Sequence, residues 1–152
     1  MRRPNKERTQ SRLRPALLPS VAMALTITLL HAAPQADQQT FATPSEAARA
    51  TIDAAERNDT ASLLKLFGGS GKDIVESGDS TDDKASRAEF ARLARQKLQV
   101  NQDPSNPDRA TLSIGAQNWP FPVPLVRRNG KWYFDSAAGR TEILAIASAK
   151  TR

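Results

Sequence analysis

Few side chains in this 152-residue sequence could do chemistry. Asp135 follows the apolar run Trp132-Tyr133-Phe134, where the chain turns towards a helix. With Tyr133 on the same sheet face and Glu142 downstream, it is the candidate general acid or base at a pocket mouth. The competing reading makes Asp135 a helix cap, because Asp accepts backbone N–H groups at helix starts. Trp119, Phe121, Arg127 and Arg128 are the candidate contacts for a ligand or partner. Trp132 reads instead as core. Arg127, Arg128 and Lys131 gather at a hairpin tip, which is either a solvated turn or a docking point for an anionic partner. Ser62 and Lys65 match Ser-x-x-Lys, but the Ser-Asp-Asn and Lys-Thr-Gly elements that accompany it in penicillin-recognising enzymes are missing. The run from Gly68 to Lys72 lacks the spacing of a phosphate loop and reads as a helix terminator. Asp79, Asp82 and Asp83, like Asn101, Asp103 and Asp108, lack the spacing of a calcium loop, so no metal and no cofactor is expected.

Absences narrow the choice further. There is no cysteine, and the single histidine, His31, lies in an N-terminal segment that reads as a leader. Beyond it, Cys/His zinc sites, His-ligated haem, Ser-His-Asp triads and Cys-His nucleophiles are excluded. Any enzyme here would work with carboxylates, lysine, tyrosine or hydroxyls.

The leader is residues 1–36. Arg2, Arg3, Lys6, Arg8, Arg12 and Arg14 form its basic start, Ala16 to Leu30 an uncharged apolar run, and Ala32 to Ala36 a small-residue close. The apolar run is short for a membrane span, so a cleaved signal peptide is expected, with an uncleaved anchor as the alternative. That segment holds six of the 22 Lys and Arg and one of the 16 Asp and Glu, leaving a net charge of +1 on residues 37–152. The high pI therefore belongs to the leader. No global basic field remains for nucleic acid, and contact with a membrane is expected only through an uncleaved leader.

The elements that must position these residues centre on Trp119 to Gly139. Asn129-Gly130 lies between two apolar runs and suits a two-residue type I′ turn. That turn pairs Arg128 with Lys131, Arg127 with Trp132, Val126 with Tyr133 and Leu125 with Phe134. Phe121, Val123, Leu125, Trp132 and Phe134 then share the core face. Pro120, Pro122 and Pro124 lack donors on the hairpin side only, so the amides of Phe121, Val123 and Leu125 need a preceding strand at Ala110 to Ile114. A three-stranded antiparallel meander follows. Upstream, Asp37 to Gln39 is a polar link, and Thr43-Pro44-Ser45-Glu46 opens a helix to about Arg57 with a capping box. Asp59 or Thr60 caps a second helix ended by Gly68 and Gly69. A short helix near Lys72 to Glu76 is followed by a longer one from Thr81-Asp82-Asp83 to about Leu98. Asn101 to Asp108 is a turn-rich link, and Ser136 opens a last helix through Ile143, Leu144 and Ile146.

Phe41-Ala42-Thr43-Pro44 with its helix, Ser77-Gly78-Asp79, Trp119-Pro120-Phe121-Pro122, Phe134 through Gly139 and Glu142-Ile143-Leu144 together resemble the bacterial domain-of-unknown-function family 2950. The resemblance implies an exported setting and no assigned activity. It also implies a chain shortened at its C-terminus, since family members usually continue beyond this point. The N-terminal helices are similar to those of NTF2-like α+β proteins, an analogy of fold alone.

The sequence thus describes one exported α+β domain, residues 37–152, periplasmic or secreted. Its expected role is a non-catalytic cell-envelope module that binds a protein or a small ligand. The rival is a hydrolase or isomerase using a pocket carboxylate, Asp135 or Glu142. A third reading is a fragment without independent function.

Overall fold

A computed structural model describes residues 37–151; residues 1–36, where a leader is expected, lie outside them. Among the described residues the architecture is α+β, with five α-helices and an antiparallel sheet. Helix α1, Pro44–Glu56, starts at the expected capping box. Thr43 accepts the Glu46 amide, and Glu46 reaches back to the Ala42 amide at 3.1 Å. Asp59 caps α2, Thr60–Phe67, through the Ser62 amide at 3.0 Å. Gly68, at φ 68°, ends it. A single 3₁₀ turn leads into the four-residue α3, Lys72–Val75. Helix α4, Ser80–Gln96, begins earlier than its sequence suggests, because Asp79 accepts the Thr81 and Asp82 amides.

The sheet is larger than the expected meander. The presumed link at Asn101 to Asp108 is hairpin: β1, Leu98–Asp103, pairs with β2, Asn106–Ile114. Leu98 and Val100 are half-buried opposite Ile114 and Leu112, but the rest of β1 is polar, and Pro104 and Pro107 give the region a loop's composition. A register shift between Gln102 and Asp103 sets Pro107 in an irregular stretch, where its missing N–H costs no ladder bond. The far side of β2 is shared by β3, Trp119–Pro120, and β4, Leu125–Arg128. Between them the Phe121 amide donates to the Leu112 carbonyl at 2.8 Å, as the proline argument requires. Strand β5, Lys131–Phe134, pairs with β4 in the expected register, around Asn129 and Gly130 at φ 51° and 75°.

The outer edge of β5 is closed by the segment before α1, where Phe41 and Trp132 exchange two backbone bonds of 2.8 Å. The presumed polar link is structural as well. The Gln38 side-chain amide donates to the carbonyls of Leu66 and Phe134, tying α2 to β5.

Helices α1 and α2 pack on one sheet face, over Ala110, Leu112, Val123, Leu125, Trp132 and Phe134. The alanines of α1 allow close approach, and Arg95 pins α4 to α1 through Asp53 at 2.9 Å and Glu56 at 2.6 Å. Helix α5, Ser136–Lys150, touches the body only near its start. Ser136 and Gly139 are buried, whereas Leu144 and Ile146 are 67% and 50% exposed.

Gly139 explains the close seat of α5. A Cβ there would lie 2.8 Å from Val123 Cγ2 and 3.1 Å from its Cα, and Val123 is fully buried. Gly139→Ala should therefore destabilise the fold by about 1–3 kcal/mol through overpacking. Urea unfolding with an unchanged slope checks this, and a gain in stability, as helix propensity alone would give, would refute it.

Candidate functional site

Between the helices and the start of the hairpin lies a cleft of about 310 Å³. Beside it α3 is only one turn long, and the exposed residues Ser77 to Asp79 join α3 to α4. Leu63, Phe67, Val75, Ile74, Phe90 and Phe121 supply an apolar floor and walls. The Thr51 hydroxyl, beneath them, is satisfied within α1 by the Ala47 carbonyl at 2.9 Å. Phe121 joins the cleft to the core: its ring centroid lies 5.3 Å from Phe90, 6.1 Å from Phe67 and 6.2 Å from Phe134.

The rim is polar. Asp83 accepts the Ser77 amide at 3.0 Å, and that bond, with help from the Ser77 hydroxyl and the Arg87 charge, holds its carboxyl below the usual carboxylate range. Arg87 donates to Asn58 Oδ1 at 2.7 Å and to the Val75 carbonyl at 2.8 Å, bracing the α1–α2 turn and the end of α3 against α4. Its Nε is buried without a partner. Asp73 reaches Arg140 of α5 at 3.1 Å, while Asp82 and Ser86 stand exposed at the mouth.

The sequence candidates fall into separate places. Phe121 alone lines the cleft. Arg127, Arg128 and Tyr133 line a smaller groove of about 150 Å³ on the opposite sheet face, with Asn106, Asp108 and Val126. Trp119 is 59% exposed at the β2–β3 turn. Asp135 caps α5, accepting the Ala138 amide at 3.0 Å, and Glu142 is exposed on that helix. Neither carboxylate lines the cleft.

The other motifs have structural uses. The Ser62 hydroxyl donates to Asp59 at 2.7 Å, and Asp79 caps α4. Asp103 closes a turn on the Ser105 amide, and Asp108 pairs with Arg127. Among the described residues no His, Cys, Asp and Glu side chains gather in a group of three or more suited to a metal ion, and no helix is long and apolar enough to cross a membrane. Sequence reasoning missed Thr51, Ile74, Ser86 and Arg87 as cleft residues, since each follows its helix pattern without a motif.

Tyr133 is the only tyrosine and is buried, which pushes its hydroxyl above the ordinary phenol value. Arg128 opposes that shift and Asp135 adds to it. The unfolded phenol therefore ionises first, and stability should fall as pH rises from the ordinary tyrosine value towards the raised one. Tyr133→Phe should remove this alkaline loss, with phenolate absorbance as the direct monitor. An ionisation at or below the ordinary value would contradict the burial argument. If Asp135 acts as a cap, Asp135→Ala should cost about 1 kcal/mol and Asp135→Asn only about a few tenths, measured by chemical denaturation. An equal loss in both would point away from capping.

Comparison with known proteins adds a family. No curated protein and no solved structure matches this chain. A family described as "Protein of unknown function (DUF2950)" matches residues 38–147. This span runs from Gln38, which stitches α2 to β5, to the exposed part of α5, and so takes in both the cleft and the groove. The chain belongs to the DUF2950 family of proteins of unknown function.

Proposed function

We propose that this protein is a non-catalytic module of the cell envelope that binds a small, largely apolar ligand in the helical cleft. The observation that carries the reading is the cleft itself: about 310 Å³ with Leu63, Phe67, Val75, Phe90 and Phe121 around a water-accessible mouth. Cavities of this size, with apolar walls and a few polar groups at the rim, are the usual form of small-molecule sites. The side chains at the mouth, Asp82, Asp83, Ser86 and Arg87, can orient a polar end of such a ligand.

The enzyme reading has less support. Asp135 is engaged as a cap, Glu142 is exposed on α5, and the half-buried carboxylate of the cleft, Asp83, is held ionised by a backbone bond. A general acid or base working near neutral pH needs its pKa moved the other way. The export part of the proposal rests on the basic start, apolar run and small-residue close of residues 1–36.

Titration of the purified protein with the neutral fluorescent probe N-phenylnaphthylamine tests the site. Saturable enhancement at a stoichiometry of about one is expected. Ser86→Trp, at an exposed position on the mouth, should weaken binding by about tenfold or more while leaving the thermal midpoint within a few degrees of wild type. Unsaturable enhancement, or equal affinity in a folded Ser86→Trp variant, would remove the cleft as the binding site.

A further inference from the structure

The groove on the other face of the sheet has no part in that reading. Its floor is Val126 and Tyr133, 3% and 2% exposed, although strand alternation puts both on the side away from the core. Asn106 and Asp108, which follow the register shift in the β1–β2 hairpin, line the groove beside them.

Donors dominate the polar groups around this floor. Asn106 Oδ1 accepts the Asp108 amide at 3.0 Å, which leaves the Asn106 NH₂ as the available end of that side chain. Asp108 is the one carboxylate in the lining. Its Oδ1 receives Arg127 Nε at 2.7 Å and Nη2 at 2.6 Å, so its charge is compensated. The Arg127 guanidinium is held in place a second time, 5.3 Å from the Trp132 ring centroid.

Arg128 is different. Among the described residues it has no ion pair, and its cross-strand partner is Lys131, a like-charge pair that the sheet alone would disfavour. Arg109 sits opposite Val126, on the outer face, half-buried and likewise without an ion pair. Three cations from β2, β4 and β5 therefore share one face, and among the described residues none of the three is in an ion pair. Residues 37–152 carry a net charge of only +1, so this is a local concentration and not the expression of a basic protein.

We propose that the groove is an oxyanion site that takes a phosphate group. Arg128 supplies the charge-assisted donor, the Asn106 amide a neutral one, and Arg109 and Lys131 the surrounding field. A doubly charged phosphate answers three unpaired cations better than a single carboxylate does. The group could be carried by a soluble phosphate ester or by a lipid headgroup, which present the same oxygens.

The test is titration of the isotopically labelled protein with inorganic phosphate in chloride buffer, following the Asn106 side-chain amide and the Arg128 Nε–H by NMR. Saturable shifts of both are expected. Arg128→Gln should weaken binding by about tenfold or more, and Asn106→Ala by less. Ser86→Trp, on the other side of the sheet, should bind phosphate as wild type does. Shifts that stay linear with concentration, or an equal response in a folded Arg128→Gln variant, would overturn the proposal. A second arm separates the sources. If phosphate binds, retention on phosphatidylglycerol but not phosphatidylcholine vesicles, lost with Arg128→Gln, assigns the lipid headgroup. Saturable phosphate binding without vesicle retention assigns a soluble ester.

Discussion

The helical half of this protein and its sheet meet at Phe67, and the rest of the structure depends on that contact. Gly68 breaks α2 directly after Phe67 and leaves the Phe67 carbonyl without a helical partner. Ser136, 69 residues away, donates to it at 2.6 Å in a buried setting. The Phe67 ring lies 4.8 Å from that of Phe134 on β5. One residue thus fixes the end of α2, the end of β5 and the start of α5. The Gln38 amide repeats the arrangement one residue along, joining the Leu66 and Phe134 carbonyls. Buried polar groups of this kind are costly when unpaired, so each bond restricts how the two halves can be assembled.

The cleft and the groove follow from the same assembly. Packing α2 against β5 while α3 remains a single turn leaves the space between α2 and α4 that Phe90 and Phe121 line. The three prolines around Phe121 hold that segment out of the β4–β5 ladder, so its ring turns to the helices while its amide bonds Leu112. On the reverse of the sheet, Asn106 and Asp108, which follow the register shift of the β1–β2 hairpin, line a groove with Val126 and Tyr133. The two concavities have different chemistry because different elements close them. Helical side chains wall one with carbon, whereas strand ends and a turn rim the other with donors.

Asp135 illustrates how position in the fold decides the role of a reactive group. A carboxylate at a strand-to-helix junction is well placed to enter a pocket and equally well placed to cap the helix. Here the Asp135 amide bonds the Pro124 carbonyl and Oδ1 takes the Ala138 amide. Its backbone and side chain are both committed to holding α5 at the end of β5. Gly139, one turn further, lets that helix approach Val123, so the run from Asp135 to Gly139 reads as the fastening of α5 to the sheet.

By itself the sequence determined what depends on neighbours along the chain. The Asn129-Gly130 turn and the register it imposes, the Thr43 to Glu46 capping box, the Asp59 cap and the glycine stop at Gly68 are local, because φ preferences and short hydrogen bonds decide them. The Phe121 amide was legible too, since three prolines left it only one direction in which to find an acceptor. Strand β1 was not, because its polar residues and flanking prolines look like a loop until Leu112 and Ile114 lie opposite Val100 and Leu98. Nor were the sites. The cleft is the gap left where a short helix meets two long ones, and the groove needs a bulge to bring Asn106 beside Arg128. Concavities belong to pairs of distant elements, and only tertiary packing decides which side chains share one.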